Sequence, residues 1–111
     1  MPLSKFEAEL RMIARDRIAT GELPCITPPV RMWGGYGIGR LCVVCDKTIE
    51  HSDVEYQVEG TIKGNTVQMW FHAACQSIWQ LECARAAYLR KHGHDYADDM
   101  RKVAPRPGKT G

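Results

Sequence analysis

Cys42, Cys45, His72 and Cys75 are the side chains of this sequence whose types and spacing point most directly to chemistry. They read C-x2-C, then twenty-six intervening residues, then H-x2-C. Thiolate and imidazole are the donors zinc prefers, in a closed tetrahedron when its role is structural. Two residues between ligands let one tight turn present both donors. The first pair suits a loop, a knuckle. The second pair, three residues apart at an expected helix start, shares one helix face. The partial positive charge of a helix N-terminus also favours the Cys75 thiolate. A lone C-x2-C is equally a redox motif, but that reading needs a neighbouring βαβ pattern, and none is present. Buried free thiols are the bland alternative. A second pair on a separate element favours one structural zinc ion per chain.

The elements that must position these ligands are legible in outline. Ser4-Lys5-Phe6-Glu7 reads as a capping box. Phe6, Leu10 and Ile13, with Leu3 near, then recur at helical spacing until Gly21, so the pattern predicts an N-terminal helix over about 4–20. Its other face carries Lys5, Arg11 and Arg15. Residues 21–40 read as irregular, with Pro28-Pro29 and a run of glycines. Gly35-x-Gly37-x-Gly39 lacks the preceding strand, the following helix and the Lys-Ser/Thr of a phosphate loop, so nucleotide binding is set aside. Trp33 is expected to cover the metal core.

After the knuckle, Val54–Val58 alternates apolar and polar residues, and Thr66–Phe71 does so less strictly. The turn-rich stretch 59–65 between them suits an antiparallel hairpin. A helix is expected over 72–91, with Ala74, Ile78, Leu81, Tyr88 and Leu89 near one face, Trp79 packing under the N-terminal segment, and Gly93 as the stop. Residues 94–111 lack apolar periodicity and read as a flexible tail. The expected organisation is thus one zinc-binding domain over 1–93, with its zinc module over about 40–91. The fold class is α+β.

This order of parts resembles the treble-clef zinc fingers: knuckle, hairpin, then a helix carrying the last two ligands. LCVVCDKTI followed much later by WFHAAC is similar to the first zinc site of a LIM domain, although the second set of LIM ligands is missing. With Gly21-Glu-Leu-Pro24 and Trp33-Gly-Gly-x-Gly-x-Gly39, residues 20–80 resemble a family of small uncharacterised bacterial zinc-finger-like proteins. That resemblance implies a fold and a metal but no activity.

Composition bounds the rest. The chain has 111 residues, 44% hydrophobic and 25% charged, a globular balance with a modest core. No apolar run is long enough for a membrane span or a signal peptide, so a cytoplasmic protein without membrane contact is expected. An odd five cysteines in such a compartment argue against a disulfide framework. Cys25 and Cys83 are read as packed free thiols. His51 is read as solvated. His92 and His94 are read as complementing a helix C-terminus, the alternative being a weak metal site with Asp95, Asp98 and Asp99.

The net charge of +2 is uneven: +1 over 1–31, −2 over 32–75 and +3 over 76–111. An anionic partner would therefore meet Arg11, Arg15, Arg85, Arg90 and Lys91. No aromatic–basic interleaving of the single-strand-binding kind is evident in the sequence. The preferred function is a non-enzymatic zinc-stabilised binding module with a protein partner, the alternative a nucleic-acid-binding zinc protein. A thiol redox or metal sensor ranks lower. So does a zinc hydrolase or deaminase, because four ligands close the shell and the H-x-E…P-C-x-x-C signature is absent.

Overall fold

The computed structural model describes residues 5–26 and 30–95. Two helices and a three-stranded antiparallel sheet follow in the order α1 (Lys5–Thr20), β1 (Arg31–Tyr36), β2 (Val54–Ile62), β3 (Asn65–His72) and α2 (Ala73–His92). The sheet order is β1-β2-β3, so β1 and β3 are its edges. The fold class is α+β, as the sequence suggests.

The β2–β3 hairpin is longer and its turn tighter than the sequence reading allows. Pairing runs from Glu55↔His72 to Ile62↔Asn65, which leaves only Lys63 and Gly64 as the loop. Both have positive φ, 50° and 82°, the signature of a two-residue turn whose twist matches the strands. The hairpin places His72 at the very end of β3, where the chain passes directly into α2.

The irregular reading of 21–40 is corrected at β1. Arg31–Tyr36 pairs with β2 over its full length, from Arg31↔Glu59 to Tyr36↔Val54. Glycines at 34 and 35 hide the strand signal, because Gly disfavours strands on its own. Pro28 and Pro29 lie outside the described residues. Trp33 does not cover the metal core; it stands 46% exposed on β1.

α2 packs across the sheet face formed by Val58, Met69 and Phe71. Trp79 stacks on Phe71 with ring centroids 5.0 Å apart and donates its indole N–H to the Pro24 carbonyl at 2.9 Å. Trp79 thus does pack under the segment that follows α1, as expected. The same segment crosses the sheet at Gly60, where a Cβ would lie 2.3 Å from Ile26 Cγ2; only hydrogen fits there. The buried side of α2 is Cys75, Gln76, Ile78, Trp79 and Glu82, while Leu81 is exposed. Gly93 ends the helix in the left-handed region, its N–H bonded to the Leu89 carbonyl.

α1 meets α2 through Leu10 and Ala14, both buried. Phe6 and Ile13, expected on that face, are exposed by 57% and 38%. The capping box rests on Ser4, outside the described residues, as does Leu3. The expected tail lies outside them too, beyond His94 and Asp95.

Candidate metal centre

The knuckle is built by backbone bonds. Asp46 N–H donates to the Cys42 carbonyl and Cys42 N–H to the Lys47 carbonyl, each at 3.0 Å. Asp46 takes positive φ, 61°, which turns the chain back after Cys45; Asp tolerates that region better than most side chains. An isolated bridge, Leu41↔Thr48, closes the loop. Val43 N–H donates to the Trp70 carbonyl at 3.0 Å and docks the knuckle on β3. Arg17 clamps the outside from α1: its Nη1 donates to the Val43 carbonyl at 3.1 Å, and Nη2 pairs with the Asp46 carboxylate.

Opposite the knuckle, His72 is the N-cap of α2 and Cys75 lies in the helix's first turn. The sequence reading places His72 as the first helical residue; it is the last strand residue instead. The result is the same, because strand end and helix start converge on the knuckle. The ligand atoms of Cys42, Cys45, His72 and Cys75 all lie within 4.8 Å of one another, and this group could hold a metal ion.

One donor pair has the spacing such an ion requires. Cys45 Sγ and His72 Nδ1 are 3.4 Å apart. Tetrahedral bonds of zinc length place sulfur and nitrogen about 3.5 Å apart. The other ring nitrogen, Nε2, lies 3.2 Å from the Thr48 carbonyl. Donation from Nε2–H to that carbonyl fixes the tautomer in which Nδ1 presents its lone pair to the cluster. Asp53 stands further off, with Oδ2 3.7 Å from Nε2.

The thiols are electrostatically unequal. A hydrogen bond from Cys75 outweighs the cost of burial and, with the backbone groups of Cys45, His72 and Val44, lowers Cys42 to about 4. Cys75, the donor in that bond, is pushed far above its ordinary value by the same contact and by burial. Burial also raises Cys45. Cys42, which receives these contacts, is fully buried. A divalent cation held here would stabilise all three thiolates.

The expectation about the other two cysteines is corrected. Cys25 and Cys83 are not free thiols; they form a disulfide with Cα atoms 5.6 Å apart. It ties the segment after α1 to the middle of α2. The sequence argument against disulfides took a reducing compartment as given, and disulfides persist where the environment oxidises. Among the described residues no helix is long and apolar enough to cross a membrane.

Three of the five residues expected to meet an anionic partner form ion pairs within the chain. Arg11 Nε and Arg15 Nε each donate to Glu82 at 2.9 Å, and Arg85 Nε donates to Asp95 at 2.7 Å. Arg90 and Lys91 sit on the exposed last turn of α2. Glu82 is the residue the sequence reading missed. Its only signal is a lone acidic group within an apolar helix face, which two arginines on another helix can satisfy.

The remaining histidines stay apart from the cluster. His51 is exposed, as expected, and its Nδ1 donates to the Gly37 carbonyl at 3.0 Å. His92 stacks on Tyr88 with centroids 4.1 Å apart, and His94 lies 6.3 Å from the same ring. They face an aromatic side chain; Asp98 and Asp99 of the alternative metal site lie outside the described residues.

A groove of about 410 Å³ opens beside the cluster, with Phe6, Leu10, Val54, Ala74 and His72 among its walls. No protein-family model, no curated protein and no solved structure matches this chain.

Proposed function

We propose that this chain is a zinc-stabilised, non-enzymatic binding module with treble-clef-like architecture that meets a protein partner. One observation carries the reading: four protein donors, three sulfurs and one imidazole nitrogen, converge within 4.8 Å from the knuckle, the hairpin end and the helix start. Such a set completes a zinc tetrahedron and leaves no position for a reacting water. Knuckle, hairpin and helix follow in treble-clef order along the chain.

The protein reading takes first place over nucleic acid because Arg11, Arg15 and Arg85 are already engaged by carboxylates. The groove beside the cluster offers mainly apolar walls, including the exposed Phe6 ring.

Cobalt substitution tests the metal reading. A closed site gives the intense visible and near-ultraviolet bands of tetrahedral cobalt with three thiolates, unchanged by added anions. Anion-sensitive bands would mean an open coordination position and would return the enzyme reading to first place.

A further inference from the structure

We propose that β1 is a dimerisation edge: two copies of this chain pair β1 antiparallel to β1 about a two-fold axis at Gly34, making one six-stranded sheet. This inference stands on the sheet edge alone and does not depend on the metal.

The backbone sets the frame. Gly37 N–H donates to the Asp53 carbonyl at 3.0 Å, in the same register that pairs Tyr36 with Val54. Hydrogen-bonded and non-bonded pairs alternate along an antiparallel ladder. The odd residues Arg31, Trp33 and Gly35 therefore bond to β2. Met32, Gly34 and Tyr36 turn their N–H and C=O groups outward. A two-fold axis at Gly34 sets Gly34 against its own copy and Met32 against the copy's Tyr36, both in hydrogen-bonding frame. All outward groups of the strand are then used.

The side chains agree with that register. Trp33 falls opposite the copy's Gly35, in a non-bonded pair where side chains approach closely, so the largest residue of the strand meets the smallest. Met32, 50% exposed, meets the copy's Tyr36, 77% exposed.

Nothing on the strand blunts pairing. Soluble proteins protect sheet edges with lysine, proline, bulges or covering elements. Among the described residues β1 has none of these; its pairing with β2 is unbroken, all six residues are exposed, and its one charge, Arg31, is at the end. The exposed parts of Met32, Trp33, Tyr36 and the flanking Ile38 provide about 500 Å² per copy, or about 1,000 Å² in total. That is the lower end of specific interfaces, so the dimer should be reversible and of micromolar affinity.

A second copy is favoured over a foreign strand because the pattern is self-complementary: one register satisfies bonding frame, large-on-small packing and two-fold closure together.

Sedimentation velocity of the full chain from about 5 to 500 μM tests it across the weak-affinity range. The wild type should pass from monomer to dimer, and a monomer throughout would overturn the proposal. Met32→Pro removes an N–H that faces away from β2, a place where an edge strand accepts proline. It should weaken association at least tenfold with an unchanged circular dichroism spectrum. Met32→Lys, which leaves the backbone intact, should do the same. Dimerisation of both folded variants at wild-type strength would overturn the edge. The register is read by mixing Met32→Cys with Tyr36→Cys under oxidant, followed by peptide mapping. A 32–36 crosslink exceeding 32–32 and 36–36 supports the Gly34 axis, and the reverse excludes it.

Discussion

Arg15 reaches from α1 to Glu82 on α2, its Nε 2.9 Å from one carboxylate oxygen and its Nη2 3.3 Å from the other. Arg11 donates to the same carboxylate, whose side chain has no solvent exposure. The two helices are therefore joined by a buried acid between two partly exposed bases. Removing the bases strands a buried charge, whereas removing the acid leaves arginines that can rehydrate. The double variant Arg11→Ala/Arg15→Ala should cost about 3 kcal/mol, and Glu82→Gln about 1–2 kcal/mol. Urea denaturation of both variants checks the order.

The same site sets an acid limit. Burial pushes the Glu82 carboxyl up, but the hydrogen bonds and charges of Arg15 and Arg11 together outweigh it and hold it below the ordinary value. A depressed folded-state value means the contribution is fully present above the unfolded carboxylate range and is lost as pH falls through the folded value. Wild-type stability should therefore fall below about pH 4. Glu82→Gln should lose less over the same interval. Equal acid slopes for the two proteins would remove Glu82 from the account.

The Cys25–Cys83 disulfide links residues 58 apart in sequence. By the chain-entropy argument, closing a loop of that size stabilises the fold by up to about 4 kcal/mol. Cys83→Ser should lose about 2–4 kcal/mol of that. Thiol titration in denaturant with a chelator should count the three free cysteines 42, 45 and 75 of the five in the chain. Five titrating thiols would show Cys25 and Cys83 to be reduced.

Removal of the metal should unfold the region around the cluster, because knuckle, hairpin and α2 meet at its four donors. Structural zinc contributes on the order of 10 kcal/mol in small fingers. Cys75→Ala and Cys45→Ser should each cost several kcal/mol by that scale. Addition of a strong chelator should collapse the amide dispersion of residues 42–49 and 69–79. A spectrum unchanged by chelator would reject the coupling of metal to fold.

The candidate metal ligands were legible because ligand chemistry constrains spacing directly: two donors on one turn must be about three residues apart. Alternation revealed Val54–Val58, and the proline-free run revealed α2. β1 was not legible, because Met32, Trp33 and Tyr36 are interrupted by glycines whose strand conformation is imposed by β2. The face of α1 was misread because hydrophobic spacing shows a stripe but not which part of it meets α2. Ala14 is buried there while Phe6 is not. Glu82 and the cysteine pair were missed for a common reason: each has its partner more than fifty residues away, and spacing carries no information about such meetings.

Gly35-x-Gly37-x-Gly39 has a structural account that the sequence reading lacked, and it gives the last prediction. At Gly35 an added Cβ would meet nothing within 4 Å. At Gly37 it would lie 2.2 Å from the Glu50 carbonyl oxygen and 2.6 Å from that of Ile49. Those are backbone atoms, so no side-chain rotation can make room. Gly37 is also fixed on both sides: its N–H donates to the Asp53 carbonyl and its own carbonyl accepts from His51. Gly37→Ala must push the 49–50 segment away, at a cost of about 3 kcal/mol or more. Gly35→Ala should change stability by less than about 0.5 kcal/mol or raise it slightly, since alanine restricts the unfolded chain. The displaced segment follows directly on Thr48, whose carbonyl holds the His72 ring. Metal affinity should therefore fall with stability in Gly37→Ala, by about tenfold on the scale of other lost outer-shell partners. Competitive zinc titration against a chromophoric chelator reads that change. Wild-type affinity in a destabilised Gly37→Ala protein would show that the Thr48–His72 contact survives the shift and does not tune the site.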